Sequence, residues 1–142
     1  MIGNFKYSVD DKGRITIPSK LRNELGDTLY VTKDFDNVLS LRTRSQFKDL
    51  QNTLLAQSAF SKDVRNLQRT IIGNTFELSP DKQGRVLLPK NLMDDTGIKN
   101  EVVIVASGNR IEIFSTEAWE KLNNEMYSQG ALEKAAEKLN GN

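Results

Sequence analysis

Near the start of the chain, apolar and polar positions alternate. Phe5, Tyr7 and Val9 are apolar with polar residues between them, and Ile15 and Ile17 resume the pattern. A period of two marks a half-buried β-strand. The intervening Asp10-Asp11-Lys12-Gly13 is turn chemistry: the aspartate accepts from backbone amides two or more residues on, and glycine tolerates positive φ. Pro18 disfavours helix at the residue before it, so the second strand is predicted to end at Ile17. A short helix can follow, with Gly26 where a helical stop is expected. Next come a strand at "LYVT" (29–32), a hairpin turn at "DFDN" (34–37) and a longer helix with Phe47, Leu50 and Leu54 on one stripe.

The same order then recurs. A shift of 71 positions pairs Phe5 with Phe76, Asp10 with Asp81, Gly13 with Gly84 and Arg14 with Arg85. It also pairs Pro18 with Pro89, Leu21 with Leu92 and Gly26 with Gly97. After a small insertion "LYVT" matches "VVIV" (102–105), and "VLSLRTRSQFKDL" (38–50) matches "RIEIFSTEAWEKL" (110–122). The second strand of that half should end at Leu88, and its next hairpin should turn at "SGN" (107–109). Trp119, Leu122 and Met126 form the stripe of its long helix, and Trp119, matching Phe47, reads as core. Val64, Leu67 and Ile71 make another stripe between the halves, ending at "GN" (73–74). Leu132, Ala135, Ala136 and Leu139 predict a weak final helix before a fraying "NGN". These stripes read as packing surface, and any apolar edge they leave uncovered is a candidate subunit contact.

The repeat sets the expected organisation: a first repeat over 1–60, a connecting helix over 61–73, a second repeat over 74–128 and a helical tail over 129–142. Each half alone has only a marginal core. The two are therefore expected to fuse their hairpins into one α+β unit around a shared, barrel-like sheet with a pseudo-two-fold axis.

Composition narrows the chemistry. The chain has no His and no Cys, so thiolate nucleophiles, His general bases and Cys/His zinc sites are excluded. No Walker-type or G-x-G-x-x-G phosphate loop is present. No cofactor is expected, and an enzyme would be left with carboxylates, lysines, hydroxyls and a hard metal such as magnesium. The absence of a membrane-length apolar run, a signal-peptide core and cysteines predicts a cytoplasmic protein with no membrane partner. The net charge of +1 conceals an asymmetry. Residues 1–22 hold five basic against two acidic residues, residues 41–70 six against two, and residues 112–142 three against six. A basic body with an acidic tail can meet an anionic partner at one face. Arg65 and Arg69, one helical turn apart, could touch phosphate or simply face solvent.

"DDKGRITIP" and "DKQGRVLLP", each followed by the short helix, the glycine and a second hairpin, resemble the MraZ family of bacterial transcription regulators of the division and cell-wall gene cluster. The likeness covers about residues 1–130 and includes the spacing of the two copies. It implies the swapped-hairpin fold of the wider AbrB/SpoVT group, with two AbrB-like half-units in one chain. It also implies ring-shaped homo-oligomers that bind short G-rich direct repeats in double-stranded DNA upstream of their own operon, at the nucleoid. The motif arginines fall on Arg14 and Arg85 and the motif aspartates on Asp10 and Asp81. Lys12 takes the lysine of the first motif. The second motif departs, with Gln83 in that place and Lys82 one position earlier.

The residues fit this reading on their own terms. Arginine forks to guanine O6 and N7 and specifies sequence, whereas lysine on phosphate positions the protein without specifying. Asp10, Gly13, Asp81 and Gly84 shape the turns, and the aspartates brace the arginines, since a carboxylate facing phosphate is repelled. Alone, such a turn is a common solvated hairpin; its recurrence with the downstream Pro and Gly, together with the family resemblance, favours a DNA-reading role. Two other classes stay open: a magnesium nuclease using Asp10, Asp11 and Asp81, or Asp94 and Asp95, and a protein that only assembles through its helices.

Overall fold

The computed structural model describes residues 1–33 and 35–139. Local chemistry accounts for most element boundaries. In the first half β1 (Ile2–Ser8) and β2 (Arg14–Thr16) flank the Asp10 turn, and α1 (Ser19–Leu25) starts behind Pro18. A hairpin of β3 (Leu29–Lys33) and β4 (Leu39–Thr43) leads into α2 (Arg44–Leu55) and α3 (Lys62–Gly73). The second half repeats the order with β5 (Thr75–Leu78), β6 (Arg85–Leu87), α4 (Lys90–Thr96), β7 (Glu101–Ser107), β8 (Ile111–Ser115), α5 (Thr116–Met126) and α6 (Ala131–Ala136), which runs into a 3-10 turn at Glu137–Leu139.

The predicted stops are present: Gly26 and Gly97 both take positive φ at their helix ends. Thr43 and Gln46 form a reciprocal cap that starts α2, while Ser61 and Ser115 cap α3 and α5. The first β3–β4 turn is made by Asp36 and Asn37, both at positive φ, and its partner by Gly108. Asp34 of that turn and the "NGN" of 140–142 lie outside the described residues.

Six strands form one antiparallel sheet in the order β1-β7-β8-β4-β3-β5, and β2 and β6 form a separate two-stranded ribbon. The first strand of each half leaves its own half: β1 pairs with β7, and β5 pairs with β3. The register carries the pseudo-two-fold. Leu39 faces Ile113 and Leu41 faces Ile111, so the repeat shift exchanges the two pairs. Ile15 faces Val86, its own counterpart. β1 and β5 are the ends of the sheet, so its hydrogen-bonded ladder is open instead of closing on itself.

One core serves both halves. The inner face of the sheet contributes Leu29, Val31, Leu39, Leu41, Val102, Ile104, Ile111 and Ile113. The ribbon adds Ile15 and Val86, and α1 and α4 add Leu21, Leu25 and Leu92. Strand β7 reads as an unbroken apolar run because Val103 and Val105 on its other face join Val38, Phe114, Ala118 and Trp119 in a second cluster. Trp119 is therefore half-buried on the outer face, edge-on to Phe114 at 5.2 Å between ring centroids, and not in the central core. Its counterpart Phe47 stacks on Tyr30 at 4.8 Å. The helical stripes bury only in part. Leu54 and Ile71 are covered, but Leu67, Leu122, Leu132 and Leu139 are exposed among the described residues.

Candidate nucleic-acid interface

Each half builds the same loop from one aspartate. Asp10 Oδ1 accepts from the amides of Lys12 (2.9 Å) and Arg14 (2.8 Å), and its Oδ2 accepts from Arg14 Nε at 2.7 Å. Asp81 Oδ1 accepts from the amides of Gln83 (2.9 Å) and Arg85 (2.9 Å), and its Oδ2 from Arg85 Nε at 2.8 Å. Backbone bonds close both turns identically, from Asp10 N to Arg14 O and Gly13 N to Asp10 O, and from Asp81 N to Arg85 O and Gly84 N to Asp81 O. Gly13 and Gly84 sit at φ 82° and 77°, a conformation that disfavours any side chain. The amide of the arginine four residues on is the largest influence on each carboxyl. Together with the arginine side chain and the second amide it holds Asp10 and Asp81 below the ordinary 3.8, against a smaller opposing effect of burial.

Because the arginines are held through Nε, the other donors of each guanidinium remain for an outside partner. The ribbon register sets their spacing. Arg14 faces Leu87 and Arg85 faces Thr16, so the two arginines are diagonal neighbours, roughly 7–8 Å apart, on one face of the ribbon. Ile15 and Val86 point the other way into the core. The two loops are also tied to each other: Ile17 N donates to Gly84 O at 2.8 Å, and Leu88 N donates to Gly13 O at 3.1 Å. Those two residues, expected as strand ends, thus splice the ribbon instead.

Lys12, Lys82 and Gln83 are exposed on the loop tips, beside the arginines. Arg65 lies elsewhere, spanning the turn before α3 with bonds from Nη1 to the carbonyls of Ala59 (2.8 Å) and Phe60 (3.1 Å). Arg69 contacts Asn66 at 3.4 Å. Asp94 and Asp95 are exposed on α4, and among the described residues no group of three or more carboxylates is gathered to hold a metal ion.

Two features were invisible in the motif. Thr16 and Leu87 share the outward face with the arginines. Arg22 of α1 reaches the second loop, donating from Nη2 to Gln83 O at 2.8 Å and from Nε to Ile17 O at 2.9 Å. The repeat shift pairs Arg22 with Met93, so a break in the internal match was the available signal. Beside the first loop, where Met93 stands, a cleft of about 650 Å³ opens between Val9, Phe76, Leu78, Leu87 and Met93.

Both halves of the chain match the family model described as "MraZ protein, putative antitoxin-like", at residues 1–70 and 71–142. A protein of Mycoplasma mobile named "Transcriptional regulator MraZ" is 36% identical over 98% of this chain and 95% of its own length. One of the same name from Caldicellulosiruptor saccharolyticus is 39% identical over 98% and 96%. The solution structure of PHS018 from Pyrococcus horikoshii covers 79% of this chain and 86% of its own at 21% identity, with a TM-score of 0.31, too low to bear on the fold.

Proposed function

The chain belongs to the MraZ family, and on that premise we propose that it is a transcriptional regulator that reads double-stranded DNA with the β2–β6 ribbon. The observation that carries this reading is the pairing of two equivalent Asp–Arg loops on one ribbon face about a pseudo-two-fold. A two-stranded ribbon fits the major groove, and an arginine fork on guanine contributes about 1–3 kcal/mol of discrimination. In this reading Arg14 and Arg85 specify, Lys12, Lys82 and Gln83 touch the backbone or base edges, and Asp10, Gly13, Asp81 and Gly84 hold the geometry. The exchange of β1 and β5 between halves supports the swapped-hairpin fold of the AbrB/SpoVT group, with each family match as one AbrB-like unit. The target is the promoter of its own division and cell-wall operon, carrying short G-rich repeats, so the protein acts in the cytoplasm at the nucleoid. No described helix is long and apolar enough to cross a membrane.

Repeated DNA calls for repeated subunits, and the helices supply two faces for assembly. Exposed Leu55, Phe60 and Leu67 on the α2–α3 side recur 72 positions on as exposed Tyr127, Leu132 and Leu139 on the α5–α6 side. The first side carries five basic and two acidic residues over 44–73, and the second three and five over 116–139. Matching apolar positions with opposite net charge suit head-to-tail contact between copies, which closes a ring when the rotation permits. Such an array raises apparent affinity through effective concentration.

A gel-shift titration with the operon promoter tests the site. Arg14→Ala and Arg85→Ala are each expected to weaken specific binding about 10- to 100-fold, with circular dichroism unchanged, and the double variant to abolish it. Wild-type affinity in the double variant would overturn the reading. Magnesium-dependent cleavage of plasmid that Asp10→Ala removes would point to a nuclease instead.

A further inference from the structure

We propose that Arg22 is a positioning residue for the second loop, so that the two DNA-facing loops differ in kind: the second is clamped and the first is free to adjust. The inference rests on the reading of the ribbon as a DNA reader. Arg22 leaves the last turn of α1, and its guanidinium bridges two carbonyls, Ile17 O at the end of the ribbon and Gln83 O in the loop. Ile17 also donates to Gly84 O, so loop, ribbon end and helix form one closed set of bonds. The guanidinium lies flat against Gly84, where a Cβ would collide with its Nε, Cζ and Nη2. Gly84 is accordingly buried, while Gly13 is only half-buried.

Around the first loop the acceptors are equivalent, because Leu88 donates to Gly13 O as Ile17 does to Gly84 O. The donor is missing. Met93 occupies the place of Arg22, a Cβ on Gly13 would meet only Leu87 and Met93 at 3.7 and 4.0 Å, and the cleft opens beside them. A thioether offers no N–H, so the carbonyl of Lys12 lacks the bond that the carbonyl of Gln83 receives. The position at which the second motif loses its lysine is therefore the one whose backbone gains a guanidinium from outside the motif.

The test transfers the clamp. In the free protein, amide exchange by NMR is compared between Gln83, Gly84 and Arg85 and their counterparts Lys12, Gly13 and Arg14. The amides of Gln83, Gly84 and Arg85, in the clamped loop, are expected to exchange about tenfold more slowly. Arg22→Met should erase the difference, and Arg22→Met with Met93→Arg should reverse it. An unchanged ratio in Arg22→Met overturns the proposal, and that variant alone decides if the double one does not fold. With promoter DNA, Arg22→Met is expected to bind about tenfold more weakly at an unchanged salt slope, and Arg22→Lys to fall with it because lysine lacks the fork. Wild-type binding by Arg22→Lys, with a shallower salt slope in Arg22→Met alone, would identify a phosphate contact and overturn the positioning role. The exchange measurement needs no DNA. A ratio erased by Arg22→Met while Arg14→Ala/Arg85→Ala still binds normally would sink the DNA reading and leave the clamp standing.

Discussion

The first and second loops have the same hydrogen bonds to within 0.1 Å and different surroundings. Inside the loop one aspartate satisfies two amides and one guanidinium, and any replacement would leave several donors unpaired. Outside it, α1 presents Arg22 and α4 presents Met93, and the chain tolerates both. The same split runs through the molecule. Pseudo-symmetry is close on the axis, where Ile15 faces Val86 and Leu39 faces Ile113 in a shared core. It loosens in the outer helices, where α3 runs for three turns and its counterpart is the short α6 with a 3-10 turn. The halves match closely among the buried side chains of the shared core, and diverge in the outer helices and in what α1 and α4 present to the loops.

The strongest way to break this comparison is at the axis. Leu41→Ala and Ile113→Ala remove pseudo-equivalent buried side chains, and each is expected to destabilise the fold by about 2–5 kcal/mol. Urea midpoints of the two variants should fall together. A large inequality would mean that the halves do not share one core.

The loop glycines should separate where the core pair does not. Gly13→Ala faces only the positive φ, a cost of about 1–2 kcal/mol. Gly84→Ala faces the same backbone cost and also displaces Arg22 from its two carbonyls, at about 1 kcal/mol per lost hydrogen bond. Thermal melts of the two variants, and of each in an Arg22→Met background, check this. Removal of the clamp should bring the two glycine variants level.

A third comparison sets the two helical faces against each other. Phe60 is 98% exposed and Leu132 44% exposed, so Phe60→Asp and Leu132→Asp are expected to cost the single chain under about 0.5 kcal/mol. Both should disrupt assembly in sedimentation velocity. Head-to-tail contact predicts that mixing the two variants yields a dimer that grows no further, since each still has one intact face. Self-dimers of either variant alone would show like faces meeting like, and the opposite charges would then have no role.

Much of the fold could be read from the chain because its signals are local. Alternation at Phe5, Tyr7, Ile15 and Ile17, turn chemistry at Asp10 and Asp81, and the stops at Gly26 and Gly97 each act within a few residues. Strand exchange was not legible in the same way. The alternation that makes β1 half-buried says nothing about whether β7 or a strand of its own half lies beside it; that pairing is set by loop geometry and the shared core. The weak final stripe did predict a helix, α6, but helical spacing does not supply a surface to pack on, and Leu132 and Leu139 stay exposed. The loops and their arginines were visible as a repeated motif. Arg22 was hidden because its partners are backbone carbonyls, which leave no mark on the identity of Gln83 or Ile17.

The smallest effect expected is the response of the loops to acid, and it asks whether the clamp shows when the aspartate is lost. Asp10 and Asp81 are held below 3.8 in the folded protein, chiefly by the amides of Arg14 and Arg85. A carboxyl with a depressed folded pKa stabilises fully above its unfolded value, and that stability drains away as pH falls from 3.8 through the folded value. Other carboxylates titrate in the same range, so the measurement is the difference in urea midpoint between wild type and Asp10→Asn/Asp81→Asn at pH 7 and near pH 3. It should be larger at the first than at the second. The single variants then sharpen the contrast. Asp81→Asn leaves a loop still tied to α1 through Gln83 O, whereas Asp10→Asn leaves one with no such tie, so Asp10→Asn should lower the midpoint more. In Arg22→Met the two should coincide. A greater loss from Asp81→Asn would place the weaker loop in the second half and reverse the assignment of rigid and adaptable loops.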